Sequence, residues 1–371
     1  MPAKPSRSAR NSLQVLDATQ AGVTYPVVIG HDAAASVGRL AEGYDRVALV
    51  SCARVLSTAY GKRVQSQLRR QVDLALVLPL PDGERGKTLA QIERAAGKLL
   101  AAGATRKTLV VAVGGGAVTD AAGFLAASFM RGIHWIAVPT TLLSMVDAAL
   151  GGKTGVNLPA AKNMIGAFHF PRAVLSDPAS LASLSRRELR SGFGEVLKHA
   201  CLRPALLEAA AKAAAAGVPD ARTVADSVRV KLEVTAADPF EKGERKLLNL
   251  GHTFGHGVEA AGRFTRYKHG EAVAVGVAFA FRLARRMGRI GDQAVERVES
   301  ALRAAGLPIR FPAALALQAA TLMATDKKRT AGGLLWVLPR AVGDIWKVEW
   351  DVAADPGALR ETIREIGEGR R

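Results

Sequence analysis

Apolar positions along the chain fall into two regimes. Between about 23 and 178, short apolar runs alternate with longer helical patterns. The runs at 25–29, 47–50, 74–78, 109–113, 135–138 and 174–175 read as strands, several bounded by Gly or Pro. The stretches 89–102 and 117–130 carry the i, i+3, i+4 spacing of helices. This alternation predicts an α/β layer with a largely parallel sheet. After 181 the spacing is helical: 187–207, 206–216, 221–236, 252–261, 271–287 and 293–305. The alanine-rich 209–216 belongs to a helix, because alanine is the best helix former. The tail after Trp350 is charged and is expected to fray. The expected division is a disordered basic arm at 1–12, an α/β domain over 13–180 and an all-α domain over 181–371.

Composition narrows the function. The 371 residues suffice for two cores, and 49% hydrophobic residues with a mean hydropathy of +0.12 describe a globular chain. Fifty-one basic residues against thirty-three acidic ones leave a net charge of +18. That charge is spread along the chain, and 5% aromatics is thin for stacking on bases, so no nucleic-acid partner is expected. A small anionic substrate accounts for the excess better. Cys52 and Cys201 imply no disulfide framework and fit a reducing cytoplasm. The first ten residues are basic with no apolar run behind them, unlike a secretory signal. The longest uncharged apolar stretch, 272–281, is too short to span a bilayer, so no membrane partner is expected.

Three of the seven histidines lie in RKLLNLGHTFGHGVEAAGRFTRYKHGE, residues 245–271. His252 and His256 share one face of a helix, and His269 follows a basic, glycine-bearing loop. Each could cap or hydrogen-bond locally; three together suggest a zinc shell, which also takes a carboxylate and leaves a position open. Spacing alone favours the pair His252 and His256. Glu195 and Lys198, on one face of a helix after Gly192 and Gly194, offer that carboxylate or an ordinary ion pair. The two glycines argue for close approach by another segment.

LVVAVGGG at 109–116 is a strand running into glycines and a helix, which lets a backbone approach a pyrophosphate. It lacks the full dinucleotide fingerprint, since Thr119 stands at the last glycine position. Asp120 places an acceptor one turn into that helix. Gly152-Lys153-Thr154 is not a phosphate loop, because Asp147 stands where the first glycine belongs. What remains is a polar run, Asp147, Lys153, Asn157, Lys162 and Asn163, suited to an oxyanion or a polyhydroxylated ligand, within a loop packed at its apolar edges. Asp326, Lys327, Lys328 and Arg329 form either a phosphate clamp or a surface charge run.

These residues resemble the 3-dehydroquinate synthase family of the sugar phosphate cyclases. The resemblance runs from about Val23 to Pro339 through GGGAVTDAAGF, FMRGI, VPTTLLSMVDAALGGKTGVN, KNMIGAF, SGFGEVLKHA, LLNLGHTFGHGVE, HGEAVA and DKK, in the expected order and spacing. It implies a Rossmann-like α/β domain and a helical domain, in a homodimer that uses NAD and zinc, or cobalt. It makes Glu195, His252 and His269 the metal ligands and turns His256 into a substrate-phosphate residue, against the preference from spacing. It assigns Glu84, Lys87, Gly115, Gly116, Asp120, Thr140 and Thr141 to the cofactor. Asp147, Lys198 and Lys231 would surround the substrate hydroxyls and the metal. Lys153, Asn163, Arg245, Asn249, His256 and Lys328 would bind substrate, with Lys162 beside them, and Arg131 would reach the partner subunit's site. Four positions depart from the family pattern: Ser51 and Cys52 near the expected ribose contact, Ser185 for a usual proline, and Thr119 for a common glycine.

The activity this implies is conversion of 3-deoxy-D-arabino-heptulosonate 7-phosphate to 3-dehydroquinate and phosphate, a step of the shikimate pathway to aromatic amino acids. It proceeds by transient oxidation, phosphate elimination, re-reduction and aldol closure, and is a lyase reaction without net redox change. The rivals are a sister cyclase acting on sedoheptulose 7-phosphate or glucose 6-phosphate, and a metal- and NAD-dependent polyol dehydrogenase. A carboxylate on the substrate calls for a cation away from the phosphate clamp, and Arg245 is the candidate.

Overall fold

The computed structural model describes residues 13–159, 161–323, 329–330 and 333–367. The arm expected at 1–12 and the charged run through Lys328 lie outside these residues, apart from the backbone of Arg329. The chain divides into two compact units, Met1–Leu184 and Ser185–Arg371.

The first unit contains, in order, β1 (Gln14–Gln20), β2 (Val23–Ile29), α1 (Val37–Leu40), β3 (Arg46–Cys52), α2 (Ala53–Ser57), α3 (Ala59–Gln71), β4 (Leu74–Leu80), α4 (Leu89–Ala101), β5 (Thr108–Gly114), α5 (Gly116–Ser128), β6 (Trp135–Pro139), β7 (Lys153–Leu158), β8 (Ala161–Phe168) and β9 (Ala173–Ser176). The main sheet has the order β1-β2-β9-β6-β5-β3-β4, parallel throughout except where β1 pairs with β2. Every residue of β5 is buried, which is why its sequence is a continuous apolar run rather than an alternating one. Thr58 and Thr88 cap α3 and α4 by accepting from the N–H groups of Gly61 and Gln91. Strand order reverses between β3 and β5, and ligands of open parallel sheets lie beyond the carboxyl ends of strands at such a point.

Two features of this unit differ from the pattern reading. β1 was not anticipated; it forms a hairpin with β2 through Ala21 and Gly22, whose φ angles of 49° and 78° suit a two-residue hairpin turn. The polar run expected as a packed loop is in large part the antiparallel hairpin β7–β8, with Gly155 and Gly166 facing each other across it. A Cβ on Gly166 would lie 2.2 Å from the Thr154 carbonyl oxygen, so the strands close only over glycine.

The second unit contains α6 (Arg186–Leu202), α7 (Leu207–Ala216), α8 (Ala221–Ala237), α9 (His252–Ala261), α10 (His269–Arg286), α11 (Asp292–Ala304), α12 (Ala313–Met323), β10 (Arg329–Thr330), β11 (Gly333–Val342), β12 (Ile345–Ala353) and α13 (Pro356–Gly367). It is a helical region with a three-stranded antiparallel sheet added. α10 is buried from Gly270 to Ala284, the mark of a helix surrounded by others. Phe279 on α10 stacks on Phe254 of α9 at 4.1 Å and on Trp336 of β11 at 5.4 Å between ring centroids.

The described part of the tail, 351–367, completes β12 and forms α13, where its charge suggested fraying. Thr362 and Ile366 of α13 are fully buried. Glu365 pairs with Arg285 at 3.0 Å and Arg286 at 2.8 Å, so the charges that looked solvated tie α13 to α10.

Candidate functional site

In the first unit the candidate residues gather around the start of α5. Gly115 stands at the helix N-cap without a side chain to cap it, leaving first-turn N–H groups for an anion. A Cβ on Gly115 would lie 3.0 Å from Thr141 Cγ2, and one on Gly116 would lie 3.1 Å from Ala148 Cβ. The cradle is therefore shaped by the lack of side chains, and it fits a pyrophosphate. Thr140 N–H donates to the Gly114 carbonyl at 2.9 Å, and the Thr141 hydroxyl accepts from Ser144 N–H at 3.1 Å.

Lys87 joins three segments. Its ammonium pairs with Asp120 on α5 and donates to Asn163 Oδ1 on β8. Asn163 N–H donates to Asn157 Oδ1 at 2.9 Å, and Asn157 Nδ2 donates to Glu84 Oε2 at 2.5 Å. Glu84, Lys87, Asp120 and Asn163 thus share one network, although the resemblance divides them between cofactor and substrate. Burial pushes the Asp120 carboxyl above its ordinary value, against the pull of Lys87. Asp147 lies half-buried in a π-helical turn at Ser144–Ala148, a form found often at functional sites. Lys153 and Lys162 are exposed on the hairpin. Arg131 is exposed after α5, where Met130 and Arg131 both hold left-handed φ angles, 49° and 67°.

The second unit brings Glu195, His252 and His269 together from three helices. α6 and α10 touch at glycine distance: a Cβ on Gly270 would lie 1.7 Å from the Ser191 carbonyl oxygen. α9 and α10 do the same at Gly251 and Gly276. Gly194, flagged from sequence, meets Gly270. This closeness lets the fully buried Glu195 place Oε1 at 3.3 Å from His269 Nε2 and 3.7 Å from His252 Nε2. One ligand atom from each of the three lies within 4.8 Å of the others.

The three groups of this cluster perturb one another strongly. Lys198 forms an ion pair with Glu195 Oε2, and Oε1 faces both imidazoles. Burial opposes the Glu195 charge, yet Lys198 and the two imidazoles hold the carboxyl well below the usual range. Burial, aided by Lys198, keeps His252 well below the ordinary imidazole value. His269 is pushed up to about 10, because the Glu195 and Glu259 carboxylates outweigh its burial. One carboxylate and two imidazoles whose ligand atoms converge fit zinc or cobalt. His256 stands edge-on to His252 at 5.4 Å between centroids and is not among the three convergent atoms.

The substrate candidates of this unit lie on α8 and the segment that follows. Lys231 is buried on α8. Arg245 is 1% exposed; its N–H donates to Asp238 Oδ2 at 3.2 Å, and its guanidinium donates to the Pro239 carbonyl. Asn249 donates to Glu241 Oε1 at 3.0 Å. Asp238 also accepts from Lys242 and Gly243 N–H at 3.0 and 2.7 Å. Partial burial raises its carboxyl, but these N–H groups outweigh that and hold it below the ordinary value. The sequence reading missed Asp238, Glu241 and Glu259. Glu259 had a signal, lying three residues after His256 on the same helix face.

A family model described as the N-terminal part of 3-dehydroquinate synthase matches residues 77–191, and one for the C-terminal part matches 192–329. The chain belongs to the 3-dehydroquinate synthase family. It is thereby an enzyme of the lyase class, whose relatives act in the shikimate pathway. The 3-dehydroquinate synthase of Halorhodospira halophila is 45% identical over 350 residues, covering 92% of this chain and 96% of that one. The 2-epi-5-epi-valiolone synthase of Streptomyces hygroscopicus, solved with NAD+ and Zn2+ bound, is 28% identical with a TM-score of 0.81, covering 93% of this chain and 97% of that one. A 2-deoxy-scyllo-inosose synthase complexed with carbaglucose-6-phosphate, NAD+ and Co2+ is 24% identical with a TM-score of 0.80, covering 95% of this chain and all of that one; this likeness speaks to fold. Three of the departing residues form local hydrogen bonds. Ser51 donates to the Val113 carbonyl at 2.6 Å, Thr119 donates to the Gly116 carbonyl at 3.1 Å, and Ser185 caps α6 by accepting from Glu188 N–H at 3.2 Å. Among the described residues no helix is long and apolar enough to cross a membrane.

Proposed function

We propose that the chain converts 3-deoxy-D-arabino-heptulosonate 7-phosphate to 3-dehydroquinate and phosphate, with NAD bound by the first unit and zinc held by the second. The observation that carries this is the convergence of buried Glu195 with His252 and His269, in a chain 45% identical to a 3-dehydroquinate synthase. When bound, NAD stores a hydride within one turnover and zinc polarises substrate oxygens. Glu195, His252 and His269 would hold the metal. Gly115, Gly116 and the start of α5 receive the pyrophosphate, Asp120 orients the nicotinamide amide, and Glu84, Lys87, Thr140 and Thr141 complete the cradle. Lys198, 1% exposed, stabilises negative charge developing on substrate in a medium of low dielectric, and Lys231 and Asp147 orient the hydroxyls. Lys153, Lys162, Asn163, Asn249, His256 and Lys328 take the phosphate and polar groups. The departing phosphate can serve as base, so no protein base is assigned to elimination.

Arg245 grips the substrate carboxylate, a group sedoheptulose 7-phosphate lacks. A homodimer in the cytoplasm completes the reading, with Arg131 reaching the partner's site; its exposed side chain on a left-handed turn and the two free, buried cysteines support this. The test is incubation of the zinc-loaded enzyme with heptulosonate phosphate and sub-stoichiometric NAD. Dehydroquinate and phosphate should appear over many turnovers without accumulating NADH. A chelator should stop the reaction, and zinc or cobalt should restore it. Arg245→Leu should lose at least about 2 kcal/mol in kcat/KM, because an anion is left unpaired in a buried site. Efficient cyclisation of sedoheptulose 7-phosphate would favour the sister cyclase, and NADH accumulating one-for-one with product would favour the dehydrogenase.

A further inference from the structure

The two imidazoles that face Glu195 are held from behind in different ways. Each turns Nε2 toward Glu195, so each Nδ1 needs a partner that fixes the ring. His252 Nδ1 has a neutral one, the Leu250 carbonyl at 3.3 Å. His269 Nδ1 faces Glu259 Oε1 at 3.5 Å, a carboxylate whose side chain is 12% exposed. The chain is shaped to deliver this contact. After α9 it reverses through Arg263 and Phe264, both left-handed at φ 52° and 55°, and re-enters a helix at His269. The backbone there is pinned by Lys268 N–H to Glu271 at 2.9 Å and Gly270 N–H to the Ser191 hydroxyl at 3.0 Å. What the backbone leaves undetermined is rotation of the imidazole, and Glu259 lies where it sets that rotation.

We propose that Glu259 is a positioning residue for the metal centre: its carboxylate orients His269, keeps the proton on Nδ1 once Nε2 binds a cation, and raises the donor strength of that nitrogen. This rests on the reading of Glu195, His252 and His269 as zinc ligands. A carboxylate behind a ligating histidine typically contributes a factor of about 10–100 in metal affinity. The arrangement makes the two imidazoles unequal, His269 being the stronger donor through its anionic partner.

The experiment measures zinc affinity by competition with a chromophoric chelator, without substrate or NAD, for the full-length wild type, Glu259→Gln and His252→Ala. Glu259→Gln keeps size and an acceptor oxygen but removes the charge. Its zinc affinity should fall about 10- to 100-fold, while the thermal midpoint of the metal-free protein stays within a few degrees of wild type. Glu259→Asp, which restores the charge on a shorter arm, should recover part of the affinity. Equal zinc affinity in wild type and Glu259→Gln would overturn the proposal, and so would a drop in metal-free stability with affinity unchanged, since that is a purely structural role. If wild type binds no zinc, or His252→Ala binds it as well as wild type does, the ligand assignment itself fails and Glu259 loses its role with it.

Discussion

Asp120 in the first unit and Glu195 in the second are both carboxylates paired with a lysine, yet their protonation is biased in opposite directions. Asp120 is 21% exposed and has one ammonium, Lys87, which it shares with Asn163; burial outweighs that cation and pushes its carboxyl up. Glu195 is fully buried, but Lys198, His252 and His269 crowd around it and hold it well below the usual range. Burial alone therefore does not decide whether a carboxylate stays charged; the groups that face it do, and Asp120 has the Glu84 and Asp147 carboxylates near it as well as Lys87. The structural background differs in the same sense. The Lys87 network spans an exposed hairpin and a turn, whereas the Glu195 cluster sits on helices locked together at glycine contacts.

The largest effect that would break this contrast is Gly270→Ala. A Cβ 1.7 Å from a backbone oxygen cannot be absorbed by a side-chain shift, so α6 and α10 must separate. Thermal unfolding should report a loss of roughly 4 kcal/mol or more, with zinc content falling together with stability. A well-folded, zinc-loaded Gly270→Ala protein would show that the glycine contact is incidental. Next comes Lys198→Met, which leaves Glu195 buried without its ammonium. Denaturant titration of the metal-free protein should show a cost of about 3 kcal/mol.

Lys87→Met sharpens the comparison from the other side. Asp120 reaches some solvent, so the stability cost should be smaller than for Lys198→Met, while NAD affinity measured by fluorescence should fall roughly tenfold through loss of a charged contact of about 1.5 kcal/mol. If Lys87→Met were as destabilising as Lys198→Met, the distinction between the two pairs would collapse. Asp238 gives a smaller, pH-dependent effect. Its folded carboxyl lies below the ordinary value, so its stabilisation is fully present above the unfolded value of about 3.9 and is lost as pH falls through the depressed folded one. Asp238→Asn should flatten that acid limb in a plot of thermal midpoint against pH. Smallest, and opposite in sign, is Gly97→Ala on α4: nothing lies within 4 Å of the added Cβ, so helix propensity alone should stabilise by about 0.8 kcal/mol.

Periodicity made the parallel sheet legible because its strands are buried on both faces, and it made α9 legible from end to end. It missed β1, whose strand pattern lies before the first apolar run that was read, and the hairpin β7–β8, whose glycines and lysines resemble a loop until the partner strand is known. The charges of α13 looked like a frayed end because their partners, Arg285 and Arg286, lie far back in the sequence. For the site, spacing brought out the histidines but ranked His256 above His269. Helical geometry gives neighbours along one element only, while the position of His269 depends on the return of the chain after Phe264. Gly194 did announce a close neighbour, and that neighbour is Gly270.

The glycine seam has a consequence for anyone wishing to move this centre elsewhere. Copying Glu195, His252 and His269 onto another bundle would reproduce the ligands but not their convergence, because helices faced with alanine or leucine stand too far apart for the three side chains to meet. What must be transplanted is a separation between backbones, and the residues that encode it carry no side chain at all.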